Sequence, residues 1–161
     1  MDWLNNLNDK LSRWGAYISS TLFIALVVLI MTEIIGRSFF DYSTMLADEY
    51  SGYFYLGAVF FGLAFTFNEN AHIRINIVTI RLSENKQRYI DIFAGVLATL
   101  ILSFALYYSY LFMIDSKDME MLSENVSETP LYLTQIPIVI GMALFVFASF
   151  VFTLKRIFDD K

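Results

Sequence analysis

Four long apolar stretches, joined by short charged connections, leave this chain few places to fold other than a membrane. Residues 92–114 and 129–154 carry no charge, and neither do 50–67. Within 16–40 only Glu33 and Arg37 interrupt the run. About 18 or more consecutive apolar residues form a helix long enough to cross the hydrocarbon. A helix also satisfies its backbone hydrogen bonds within one segment, as lipid requires. The sequence therefore predicts an all-α membrane protein with four transmembrane helices, near 16–40, 49–68, 90–114 and 130–154, in one membrane domain spanning 1–161. A hydrophobic share of 57% is high for a soluble domain. The longest connections, 68–88 and 115–128, are too short to hold a core of their own.

Composition narrows the chemistry. The chain has no cysteine, which excludes thiolate catalysis, iron–sulfur clusters, disulfides and zinc–thiolate sites. The single histidine, His72, lies in a connection, so haem held by paired intramembrane histidines is excluded as well. No cofactor or metal is expected, and nothing resembles an enzyme active site. A net charge of −5 argues against nucleic acid as a partner. The first 15 residues are polar and amphipathic, and no small-residue cleavage site ends the apolar run after them. The first span is therefore expected to stay uncleaved.

Lys and Arg set the threading. Lys10, Arg13, Arg74, Arg81, Lys86, Arg88, Lys155, Arg156 and Lys161 fall on one side of a four-span chain; only Arg37 and Lys117 fall on the other. The richer side is expected to be the cytoplasm, with both termini there. Trp14, Tyr17, Tyr50, Tyr53 and Tyr132 lie at span ends, where amphipathic rings suit the headgroup region. Trp3, Leu7, Leu11 and Trp14 recur at helical spacing and predict a short amphipathic helix over about 2–15, lying at the inner interface. Ile73, Ile77 and Ile80 stand at helical spacing with Arg74 and Arg81 between them, while Ile73, Ile75 and Ile77 also alternate; position on the cytoplasmic face favours a second interfacial helix between spans two and three over a loop with apolar anchors.

Few polar residues are candidates for a site. Glu33 and Arg37 stand four apart on one helical face, the favourable order for an ion pair. A charge inside a span marks either a transport site or a structural contact. Glu33 lies about 25 Å along the helix from Ala16, near the end of the hydrocarbon and not at its centre. That depth favours a structural or subunit-contact pair. Asp48 and Glu49 open the second span, where the helix dipole favours acids, and are within reach of Arg37 across the connection. Gly57, Ala58 and Gly62 on span two, and Ala94 and Ala98 on span three, provide small-residue faces for close helix packing. His72 and Arg74 belong to a polar turn. Pro137 and Gln135 lie near the start of span four, where a Pro bends a helix and frees a carbonyl.

These pieces, in this order, resemble the small membrane subunit of tripartite ATP-independent periplasmic (TRAP) transporters, the DctQ type, over nearly the whole chain. The resemblance rests on Arg37-Ser-Phe-Phe, Asp48-Glu49, Leu56-Gly-Ala, Gly62-Leu-Ala, Ala71-His-Ile-Arg-Ile-Asn76, Thr129-Pro-Leu-Tyr and Gln135-Ile-Pro-Ile. Leu46 stands in the region where the family often has Trp, and Gly52 where it often has Arg. The resemblance implies a multi-pass protein of the bacterial inner membrane. Its partners would be a large multi-pass TRAP subunit, which carries substrate and sodium by an elevator movement, and a periplasmic substrate-binding protein that engages transiently. The cargo would be an organic acid of the C4-dicarboxylate or sialic acid class. This chain would brace the large subunit and help dock the binding protein. The competing reading is a self-sufficient four-helix, proton-coupled transporter using Glu33. A redox-enzyme anchor would need intramembrane histidine ligands, and the spans have none.

Overall fold

The computed structural model describes residues 2–69 and 84–158. Among them are four helices: α1 Asp2–Phe40, α2 Ala47–Asn68, α3 Glu84–Asp118 and α4 Leu131–Phe158. All four are long and apolar enough to span a membrane. The expected interfacial helix around 73–82, with His72 and Arg74, lies outside the described residues.

The amphipathic N-terminal segment is not a separate helix. It runs without a break into the first span, giving one helix of 39 residues. At 1.5 Å per residue this is roughly 58 Å long, against about 30 Å of hydrocarbon. No proline interrupts residues 2–40, and the one weak helix former at the junction, Gly15, is needed where it is. A Cβ at Gly15 would lie 2.6 Å from the Phe61 carbonyl oxygen, so only glycine lets α1 approach α2 so closely. Asn8, Ser12 and Gly15 form the buried stripe of this segment, while Trp3, Trp14 and Tyr17 face outward. The side turned into the protein is thus polar and small, and the aromatic side is left for lipid.

The same inversion runs through the bundle. Its buried residues are mostly small: Ala47, Ala58, Ala64, Ala148, Ser116 and Ser149. Large residues such as Phe23, Ile24, Phe93, Leu100, Phe104 and Phe150 face out. Helices in lipid gain little by hiding apolar surface from one another, so van der Waals fit and polar contacts must hold them. α4 supplies most of that fit. A Cβ at Gly141 would meet the Phe60 backbone carbon at 2.6 Å, and Gly57 faces the Pro137 ring. Ser19 Oγ donates to the Ala58 carbonyl at 2.6 Å, joining α1 to α2. α1, α2 and α4 form the core, while α3 packs on α4 alone to any comparable extent.

The α3–α4 seam is stitched along its length. Arg88 Nε and Nη2 donate to the carbonyls of Arg156 and Ile157 at 3.0 and 2.8 Å, capping the end of α4. Asp91 pairs with Arg156 at 3.2 Å. Thr99 and Ser149 hydroxyls lie 3.0 Å apart. Gln135 Nε2 donates to Ser116 Oγ at 3.0 Å near the far end. Both described chain ends lie at one end of the bundle, called basal below. The connections 41–46 and 119–130 lie at the other, the distal end.

Gly141→Ala should lower the thermal stability of the purified protein, by about 1–3 kcal/mol, because the Phe60 backbone cannot retreat cheaply. Gly52→Ala is the control: nothing lies within 4 Å of its Cβ position, so the melting temperature should hold or rise. Equal effects of the two substitutions would refute the close-approach account.

Candidate functional site

The charged candidates converge on the distal end, where two buried carboxylates each hold one connection. Glu33 leaves the distal part of α1 and is 7% exposed. Its Oε1 accepts from Arg37 Nε at 2.7 Å and Ser43 Oγ at 2.5 Å. Its Oε2 accepts from the Thr44 backbone N–H at 3.1 Å and Thr44 Oγ1 at 2.6 Å. One carboxylate thus receives four donors and gathers the 41–46 connection against α1. Ser43 Oγ and Thr44 Oγ1 accept in turn from the backbone N–H groups of Met45 and Leu46. These bonds shape the entry to α2, which has no side-chain cap at Leu46.

Asp48 and Glu49 part company. Successive residues on a helix point about 100° apart, so one faces water and the other the protein. The Asp48 side chain is 91% exposed and reaches Arg37 Nη2 only at 4.0 Å, a surface pair of little weight. Among the described ion pairs, Arg37 joins Glu33 and Asp48 and not Glu49. Glu49 is buried, accepts from Tyr53 OH at 2.6 Å through Oε1, and accepts from Ser127 Oγ through Oε2. Thr129 Oγ1 extends this chain of hydroxyls, 2.7 Å from Ser127 Oγ and 3.2 Å from Tyr50 OH. The first turn of α2 therefore grips the 119–130 connection, 78 residues further along the chain.

Both connections are shaped turns. α3 ends with Glu120 in the left-handed region, at φ 50°, while Met121 N–H reaches back to the Ser116 carbonyl and Glu120 N–H to that of Lys117. This is the Schellman closure, with Glu in place of the usual Gly. Paired bonds between Ser123 and Thr129 and between Leu131 and Met121 then close the loop. Asp41, Met45 and Glu128 also have positive φ. Among the described residues, all four such non-glycine residues lie in the two distal connections, held in a conformation that they adopt at a cost.

The packing candidates divide. Gly57 and Ala58 are buried, and Gly62 faces Ser19 Oγ. On α3, Ala94 is exposed and Ala98 is half-buried, while Gly95 between them takes the close contact with Thr153 of α4. Sequence reasoning missed Ser43, Thr44, Ser127 and Thr129, the partners of the two carboxylates. The hydroxyl-rich Ser43-Thr44 pair, ten residues after Glu33, was the available signal for the first loop; none existed for the second. Among the described residues no group of three or more His, Cys, Asp or Glu side chains is placed to hold a metal.

This arrangement organises helix ends and loops, and it leaves the helix interiors small and mostly apolar. It is the build of an integral, multi-pass membrane component whose polar groups serve its own architecture. In keeping with that, the sequence pattern of the DctQ component of tripartite ATP-independent periplasmic transporters matches residues 26–159, and the chain belongs to that family. It is thus a small TRAP transporter subunit of the inner membrane. No curated protein and no solved structure matches the chain.

Glu49→Ala should speed backbone hydrogen exchange across 119–130 by about tenfold or more while leaving 41–46 protected. Glu33→Ala should do the reverse, and Asp48→Asn should change neither. Exchange read by mass spectrometry on the purified protein separates the three; a uniform response across both loops would contradict independent anchoring.

Proposed function

We propose that this subunit is a fixed brace for the large elevator-type TRAP subunit, in sodium-coupled, binding-protein-dependent uptake of an organic acid of the C4-dicarboxylate or sialic acid class. In this reading the basal end faces the cytoplasm and the distal end faces the periplasm, where it helps dock the substrate-binding protein. The observation that carries the proposal is the commitment of Glu33. The one acid within the first apolar span, near its distal end, takes four donated hydrogen bonds from its own helix and the adjoining loop. A carrier site needs a group free to bind and release cargo; this one holds a turn in place.

Large apolar side chains on the outer faces of α1 and α3 support the same reading, because they leave broad surface for lipid and for another membrane subunit. The two distal loops, pinned by buried carboxylates and carrying Asp41, Glu120, Glu124 and Glu128, with Asp48 exposed at the start of α2 beside them, suit the docking of a soluble protein. The competing reading, proton-coupled transport by this chain alone through Glu33, would need that carboxylate to exchange partners during each cycle.

Tagged protein expressed from its native operon should co-purify with a large multi-pass subunit. Liposomes holding this chain alone should show no substrate uptake, and adding the large subunit and the binding protein should restore it. Uptake by the chain alone would sink the brace reading. Arg37→Glu should reduce recovery of the complex several-fold while the surviving complex keeps its substrate preference. Altered preference with intact assembly would point instead to a direct role in the pathway.

A further inference from the structure

The basal end contains a polar cavity that the architectural account does not use. It has a volume of about 290 Å³ and lies where the first turns of α1 meet the last turns of α2 and α4. We infer that it is a binding site for the phosphodiester of a phospholipid headgroup, held in the leaflet at the basal end of the bundle.

Three observations converge. The first is donor chemistry. Lys155, Arg156 and the amides of Asn5, Asn8 and Asn68 line the cavity, with Asp9 the one carboxylate among its lining residues. Lys155 forms no ion pair among the described residues. Arg156 is held in place by Asp91 at 3.2 Å and by the Phe152 ring at 5.6 Å, and a guanidinium with five N–H groups keeps donors to spare. The second is an imbalance within the seam itself. Asn8, only 7% exposed, donates through Nδ2 to Asn68 Oδ1 at 3.0 Å, yet the buried Asn68 Nδ2 finds no acceptor. One buried donor at the cavity is thus left without an acceptor, and phosphate oxygens accept without donating. Lys and Arg beside amide N–H groups are the chemistry that binds phosphate.

The third observation is depth. Trp3 and Trp14 face outward on the same stretch of α1 that supplies Asn5 and Asn8, at 72% and 68% exposure. Tryptophan settles at headgroup level, so the cavity opens where lipid phosphates lie. Phe67, Val151 and Phe152 form its apolar wall, suited to the glycerol and the start of an acyl chain. A free phosphate would use the donors and leave that wall bare. A phospholipid uses both.

The test is native mass spectrometry of the delipidated full-length protein, with any membrane partner it retains. It is titrated in parallel with a short-chain phosphatidylglycerol, the matching short-chain diacylglycerol and inorganic phosphate. The expected result is one phospholipid bound, with diacylglycerol and phosphate each weaker by about tenfold or more. Lys155→Gln, at an exposed position that leaves the fold intact, should cost about tenfold in phospholipid affinity, and Asn5→Ala should cost affinity in the same direction. Diacylglycerol binding as well as phospholipid would overturn the phosphate assignment. Inorganic phosphate binding as tightly as the lipid would reassign the cavity to a soluble anion. Unchanged phospholipid binding in both variants would remove the site altogether.

Discussion

Close approach of backbones across α4 is the constraint on which the rest of this bundle depends. Lipid tails are as apolar as leucine, so burying large side chains between helices stabilises little. What remains is contact area at short range, and that requires residues that stay out of the way. Gly141 lets α4 rest on the Phe60 backbone, Gly57 receives Pro137, and Gly15 lets α1 lie against Phe61. At such distances hydroxyls become connectors: Ser19 bonds the Ala58 carbonyl and Thr99 meets Ser149. Bulky residues are displaced to the outside, which is why the exterior is rich in phenylalanine, leucine and isoleucine.

The ends of the helices obey a different rule. There the chain must turn, and turning exposes N–H and C=O groups that no neighbouring helix residue can satisfy. At the distal end Glu33 and Glu49 supply acceptors for one loop each, and the left-handed residues Asp41, Met45, Glu120 and Glu128 accept local strain in return for closed turns. At the basal end Arg88 serves the opposite need, donating to carbonyls left open at the end of α4. Glu33 takes one loop N–H directly and Glu49 holds its loop through hydroxyls, whereas Arg88 meets open helix carbonyls.

How much of this the sequence disclosed follows from the range of each interaction. The four spans were legible because hydrophobicity over about 18 residues is a local property. The continuity of α1 was not, because the amphipathic pattern of Trp3, Leu7, Leu11 and Trp14 reads equally well as a separate surface helix. What joins it to the span is a polar and small stripe, Asn8, Ser12 and Gly15, turned toward the protein; Asn8 bonds Asn68 on α2 and Gly15 lies against the Phe61 backbone. Small-residue faces were visible, yet Ala94 and Gly95 could not be ranked without knowing how α3 is rotated against α4. The Asp48–Glu49 pair was visible as a pair. Its division into one surface acid and one buried acid depends on Ser127 and Thr129, far along the chain, which no spacing rule connects to it.

The contacts of α3 fall along a single line: Arg88, Asp91, Thr99 and Ser116 all reach α4. Points on one line fix an axis but leave rotation about it unresisted. Among the described contacts, restraints that lie off this axis come from the loop that follows α3, where Ser127 bonds Glu49 and Thr129 meets Tyr50, both on α2. Mechanically, this hydroxyl cluster is a torsional stop. It opposes rotation of α3 about that line, and so helps hold the width of the membrane face that this subunit presents.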